Sequence, residues 1–283
     1  MGILEIAPGI FVHTGRYELA THQNRGDISN AICVVGASAV AVIDTSGSYA
    51  AGNGLRDAIS ETTSAPIRYV INTHMHPDHV MGNGAFKAPG VEFVGHHKLP
   101  AALYARKESY LNSARERVGE AAFKGTEIIV PTLLVKDVLE LDLGGRTLTL
   151  KARPTAHTDN DLTVFDSATG TFFLGDLLFS KHIPTLDGSL AGWLDLIPVL
   201  RQESAARAVP GHGPDAMPWP DAITPVERYL SVLASDVRNM IKDGKTIEEA
   251  IATAGQSERG KWELFDEHHP RNVTAAFTEL EWE

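Results

Sequence analysis

Four residues able to bind a metal fall within the short run His74-Met75-His76-Pro77-Asp78-His79, directly after the apolar, β-rich segment Ile67–Asn72. A strand that ends in a loop can fan such side chains toward one point. This segment therefore asks for a fold in which a buried strand opens, at its carboxyl end, onto a pocket. Imidazole and carboxylate donors suit zinc, with iron and manganese as competitors. Pro77 stiffens the turn between donors, and Asn72 and Thr73 are placed to steady the loop or its ligands by hydrogen bonds.

Three further donors follow strand-like runs. His157 lies in Pro154-Thr155-Ala156-His157-Thr158, Asp176 in Phe173-Leu174-Gly175-Asp176, and His212 between Gly211 and Gly213. A sheet gives rigidity at such positions and a loop gives access. Loop capping would explain one of these residues, but not four clustered donors with three distant ones on the same plan.

Around these motifs, short apolar runs alternate with turns. Ile10–His13, Ala31–Val35, Ala39–Asp44 and Val91–Gly95 read as strands, about Ala50 to Ser60 as a helix, and Lys98 to Val118 as a long helix. Val138–Leu143 and Thr147–Lys151 form a hairpin over Gly144-Gly145. Leu162–Asp166, Thr171–Leu174 and Ala206–Val209 complete the strands. Two such alternating halves fit two sheets with helices on their outer faces, a four-layer α/β sandwich spanning 1–222. From Thr224 the pattern turns helical. Thr224-Pro225-Val226-Glu227 and Thr246-Ile247-Glu248-Glu249 read as capping boxes, and a third helix is expected after Pro270. Residues 223–283 are thus a C-terminal helical appendix packed on the sandwich.

The formal net charge is −11, without clustered Lys or Arg, which counts against a nucleic-acid partner. No segment is apolar for long enough to span a membrane. Met1–Pro8 lacks the basic start and apolar run of a signal peptide. The compartment expected for the chain as it stands is the cytoplasm, or the periplasm if a natural leader has been removed. Cys33 is the sole cysteine and sits in the apolar run Ala-Ile-Cys-Val-Val, where packing is its expected role. Gly52-Asn53-Gly54 lacks the Lys and Ser/Thr of a phosphate loop. Among the remaining histidines, His13, His22, His96, His97, His268 and His269 are expected to be structural. His182 and Trp193 are the candidate substrate contacts, while Tyr104 and Tyr110 are expected to pack.

His74-Met75-His76-Pro77-Asp78-His79, followed in order by His157, Asp176 and His212, resembles the metallo-β-lactamase superfamily over nearly all of residues 5–220. The resemblance implies an αββα sandwich holding two divalent ions, zinc before iron or manganese. His74, His76 and His157 would hold the first ion, and Asp78, His79 and His212 the second, with Asp176 bridging. Asp at 176 is similar to the glyoxalase II-like hydrolases rather than to lactamases with Cys there. Val70–His74, Gly95–Pro100, Leu186–Leu190, Arg271-Asn272-Val273 and Glu281-Trp282-Glu283 resemble the metallohydrolases associated with quinoprotein relay or sulfur-oxidation systems. The activity so implied is hydrolysis of a small ester, thioester or amide by a water activated between the ions, with Asp78 as the catalytic carboxylate. The alternative is a mononuclear iron oxidoreductase of the persulfide dioxygenase type on the same fold. A nuclease is disfavoured by the charge, and a non-enzymatic scaffold by the intact donor set.

Overall fold

Strands and helices alternate in two runs, and each run builds one sheet. The structure, a computed structural model, describes residues 1–283. The first run comprises β1 (Leu4–Ala7), β2 (Ile10–His13), β3 (Ala31–Val35), β4 (Val40–Ile43), α1 (Tyr49–Thr62), β5 (Ile67–Ile71), α2 (Pro77–Val80), β6 (Glu92–His96), α3 (Leu99–Val118), α4 (Glu120–Phe123) and β7 (Leu133–Val135). Its seven strands lie in sequence order, antiparallel through β4 and parallel from β4 to β7.

The second run comprises β8 (Val138–Asp142), β9 (Thr147–Ala152), β10 (Leu162–Asp166), β11 (Thr171–Phe179), α5 (Leu190–Arg201), β12 (Arg207–His212) and β13 (Met217–Pro218). These strands are ordered β13-β12-β11-β10-β9-β8. Only β11 and β12 pair in parallel, because α5 carries the chain back between them. The helices α6 (Thr224–Lys242), α7 (Ile247–Thr253) and α8 (Phe265–Leu280) follow.

Strand alternation sorts side chains between layers. On β3, Ile32 and Val34 enter a 19-residue core between the two sheets, whereas Ala31 and Cys33 face outward beneath Leu55 and Ile59 of α1. On β11, Phe173 joins the inter-sheet core, and Phe172 and Leu174 face a 31-residue core shared with α5 to α8. The result is a four-layer sandwich, helix–sheet–sheet–helix. No helix is long and apolar enough to cross a membrane.

Several local expectations are corrected. The Thr224 capping box does not form. Ile223 occupies the cap position without a side-chain bond, because the guanidinium of Arg201 draws off both Thr224 and Glu227. The Thr246 box does form. The last helix starts at Phe265, with Pro270 inside it. Burial of Phe265 and of His269, their rings stacked 4.1 Å apart, offsets the backbone bond lost at the proline. Helix α5 was not expected, since Gly192 and Pro198 lower its propensity. Its buried residues Leu190, Trp193, Ile197 and Leu200 nevertheless repeat at helical spacing. The short strands β1, β7 and β13 were also not anticipated, and β11 runs five residues beyond Leu174 to Phe179.

Candidate metal centre

All seven donors converge where the carboxyl ends of β5, β11 and β12 meet. His74 follows β5, and His76 is the cap of α2, whose first turn carries Asp78 and His79. His157 lies in the β9–β10 connection. Asp176 sits within β11, and His212 ends β12. Donor atoms of His74, His76, His157 and Asp176 form one group, and those of Asp78, His79 and His212 another, each lying within 4.8 Å of one another. Asp176 also joins the second group: its carboxylate lies 3.2 Å from His79 Nε2 and 3.4 Å from His212 Nε2, as well as 3.5 Å from His157 Nε2 and 3.7 Å from His74 Nε2. The 3.2 Å separation of His212 Nε2 from Asp78 Oδ2 closes the second group.

Asp176 reaches this position through a break in the strand. Pairing of β11 with β12 shifts on both sides of Gly175, and such a break re-aims the neighbouring side chain. Gly175 has φ +53°, and a Cβ there would lie 2.7 Å from Thr73. A Cβ at Gly211 would collide with the Asp176 carboxylate itself. Both glycines let backbone and donors crowd one point.

The ring nitrogen facing away from the centre is held in every histidine. His157 Nδ1 bonds the Thr185 carbonyl at 2.7 Å and His212 Nδ1 the Ile28 carbonyl at 2.9 Å. His79 Nδ1 meets the Asp44 carboxylate at 2.8 Å, and His74 Nδ1 the Thr73 hydroxyl at 3.0 Å. His76 is reversed: Nε2 bonds Asp187 at 3.1 Å and Nδ1 faces inward, 3.0 Å from His157 Nε2. A carbonyl or carboxylate accepts only from N–H, so in the neutral imidazole those bonds leave a lone pair on the inner nitrogen, as metal ligation requires.

Buried His74 Nε2, His79 Nε2 and Asp176 Oδ1 have no hydrogen-bond partner, and all point into the centre. Three such orphans at one place are unusual in a native interior and fit divalent cations bound between them. The electrostatics agree. Burial pushes His157 down to about 3 and His74 well below the ordinary imidazole value. Burial also opposes charge on His79 and His212, yet the carboxylates of Asp176 and Asp78 overcome it, raising His212 to about 9 and His79 well above its usual range. Protons on these rings balance the carboxylates in the absence of a cation, which is the charge a metal would bring.

A cavity of about 170 Å³ opens over the centre, with His76, Asp78, Asp176, His182, His212 and His268 on its wall. His182 thus borders the site, its ring 4.8 Å from that of His212. Trp193 does not. It is fully buried in the outer core, with its ring 5.4 Å from that of His157, so it backs a donor instead of meeting a substrate. His268, expected to be structural, lines the cavity with Nε2 unpartnered. Its neighbour His269 is structural, bonded to the Tyr229 hydroxyl and the Ala254 carbonyl. His13 bonds Asp27, His96 accepts from the Lys98 amide, and Tyr104 is 64% exposed. Asp44 and Asp187 were missed as supports. Asp44 ends a strand-like run, and Asp187 lies in a segment that carries the narrower resemblance, so both had a signal.

The family model for the metallo-beta-lactamase superfamily matches residues 24–212, more than half of the chain. The chain belongs to the metallo-beta-lactamase superfamily. Solved structures agree on the fold. The stereoselective inverting sec-alkylsulfatase Pisa1 from Pseudomonas sp. matches with TM-score 0.75 and 15% identity, over 99% of this chain and 50% of that one. The chain therefore spans half the length of that sulfatase. A metallo-beta-lactamase from Pontibacter korlensis matches with TM-score 0.65 and 20% identity over 81% and 98% of the two chains, and the TMB-1 enzyme with 0.63 and 17% over 81% and 96%. No curated protein sequence matches the chain. Superfamily membership and the convergent His/Asp cluster together support a metal-dependent hydrolase in general terms.

Proposed function

We propose that this superfamily member is a dinuclear hydrolase, of the zinc type, acting on a small ester, thioester or amide. The observation that carries the proposal is the position of Asp176 between two donor groups, with one carboxylate oxygen toward His79 and the other toward His157 and His212. One tetrahedral ion needs four donors, and seven are present. His74, His76 and His157 would hold one ion and Asp78, His79 and His212 the other, with Asp176 between them. When bound, two such ions supply the Lewis acidity that makes a water nucleophilic near neutral pH.

The chain's own groups do the rest. Asp78 is partly exposed to the cavity and lies 3.5 Å from His79 Nε2 and 3.2 Å from His212 Nε2. There its carboxylate is placed to orient a water and take its proton. Phe179 stacks on His212 with ring centroids 5.3 Å apart, and Trp193 packs behind His157, so neither ring can swing away. His182 and His268 border the space a substrate would enter.

A second electrophile, a sulfate ester, draws support from the match to the sec-alkylsulfatase, which extends over 99% of the chain whereas the lactamases cover 81%. One experiment addresses both. Metal content per chain is measured on loaded protein, followed by turnover of a panel of thioesters, lactones, β-lactams, phosphodiesters and secondary alkyl sulfates. Two ions and hydrolysis of a carbonyl substrate are expected. A single iron with oxygen consumption would replace this proposal with the oxidoreductase, and turnover confined to the sulfates would replace the acyl carbon with a sulfate ester as the substrate group attacked.

A further inference from the structure

Helix α3 departs from the usual pattern where it passes the metal centre. Its inner face is apolar at Leu99, Ala102 and Leu103, and again at Ala114 and Val118. Between and beside these positions the same face carries Arg106, Ser109, Tyr110, Ser113 and Arg117, at spacings of three and four residues. A helix that only covers a core keeps its stripe apolar. Here the stripe turns polar for two turns, and those residues line a recess of about 360 Å³.

The recess is continuous with the cavity over the donors, since His76, Pro77, Arg117, Asp187 and Arg271 line both. Three guanidiniums face it, from Arg106, Arg117 and Arg271, against the single carboxylate of Asp187. That carboxylate is already engaged by His76 at 3.1 Å and Arg271 at 2.8 Å, with Arg106 at 4.0 Å. Arg117 has no ion pair or hydrogen bond, and the hydroxyls of Ser109, Tyr110 and Ser113 bond nothing within the protein. A local excess of two positive charges on a chain of net charge −11 is a marked contrast, and it lies one histidine away from the reacting centre.

We propose that this recess binds an oxyanion of the substrate remote from the bond that is cleaved, with Arg117 and Arg106 as its anchors and the α3 hydroxyls completing its hydrogen bonds. The proposal rests on the hydrolase assignment for the identity of the reacting end, and it adds that the substrate is an anionic acyl compound. Guanidinium forks suit carboxylates and phosphates in two-point contacts. Arg271, held by Asp187, sets the outer limit of the recess and ties it to His76.

Binding to the metal-loaded protein is measured by calorimetry for three probes: pentanoate, glutarate and 4-phosphonobutanoate. All three carry a carboxylate that can reach the metals, and only the last two carry a second anion. Glutarate or the phosphonate should bind about tenfold or more tightly than pentanoate, and their ranking distinguishes a planar from a tetrahedral group. The Arg106→Gln/Arg117→Gln variant should erase this preference while retaining metal content. The Lys counterparts should keep part of it, with stronger salt dependence. Equal binding of all three probes by the wild type overturns the proposal without any variant, as does a preference that survives the double Gln substitution. A parallel assay compares kcat/KM for the N-acetylcysteamine thioesters of glutarate and pentanoate. If neither thioester is hydrolysed, the hydrolase assignment for this substrate class fails while the binding result still decides the recess.

Discussion

His79 is gripped from both sides: its Nδ1 lies 2.8 Å from Asp44 Oδ2, and its Nε2 lies 3.2 Å from Asp176 Oδ1. Asp44 takes a φ of +59° and also accepts the backbone N–H and hydroxyl of Thr73, which in turn meets His74. One carboxylate therefore orients a donor of each proposed metal position. Asn tolerates the same backbone conformation, so Asp44→Asn should fold. It should lower metal affinity about 10- to 100-fold, the usual cost of losing such a partner. Competition with a chelator measures this, and unchanged affinity would show that the grip on His79 is not needed.

Asp78→Asn isolates the chemistry from the scaffold. The amide is nearly the same size and keeps an oxygen toward His212, but it cannot take up a proton. With metal occupancy matched to wild type, kcat should fall about 10²- to 10⁴-fold on any substrate the wild type hydrolyses, with a smaller effect on KM. A fully loaded variant with wild-type kcat would leave Asp78 a ligand only.

How much of this site was legible in the sequence depends on where each residue's partners lie. The donors stood out because four are packed into residues 74–79 and the others close strand-like runs beside glycines. Their supports were harder to see. Asp187 meets His76 across 111 residues, a pairing created only when the segment after β11 folds back over the cavity. His268 faces the site because α8 begins at Phe265, a start that Pro270 concealed. Trp193 stood out only as an aromatic in a helical or loop segment, yet Leu190, Ile197 and Leu200 share its helical spacing, and that periodicity was the better guide to its burial. The sandwich itself was readable from alternation, while strands of two to four residues such as β1, β7 and β13 carry too short a pattern to register.

Gly175 and Gly145 separate two costs of a side chain. Both have positive φ, +53° and +71°, but a Cβ at Gly175 would strike Thr73, whereas at Gly145 nothing lies within 4 Å. Gly145→Ala should cost about 1–2 kcal/mol from backbone conformation alone. Gly175→Ala adds overpacking and should cost on the order of 2–4 kcal/mol, together with weaker metal binding, since displacing Thr73 disturbs both Asp44 and His74. Denaturant unfolding and metal titration of the two variants test this. Equal losses in both would mean that the approach of β11 to the β5 loop has slack.

Cys33 gives a pH signature free of the metal centre. It is completely buried on the outer face of β3 among Val40, Val42 and Ile59, and burial pushes its thiol from 9.0 up to about 12. Below pH 9 the thiol is protonated in folded and unfolded chains alike, so its contribution to stability is fully present. As pH rises from 9 toward 12, only the unfolded chain gains by ionising, and that contribution is progressively lost. The loss approaches about 1.4 kcal/mol per pH unit. Cys33→Ala removes the titrating group and leaves a packing cost that is independent of pH. The variant should be somewhat less stable than wild type at neutral pH, and the gap should narrow or reverse on going above pH 9, with metal content unchanged throughout. Parallel stability–pH curves for the two proteins would count against a buried neutral thiol, and loss of a metal equivalent in the folded variant would overturn the donor set itself.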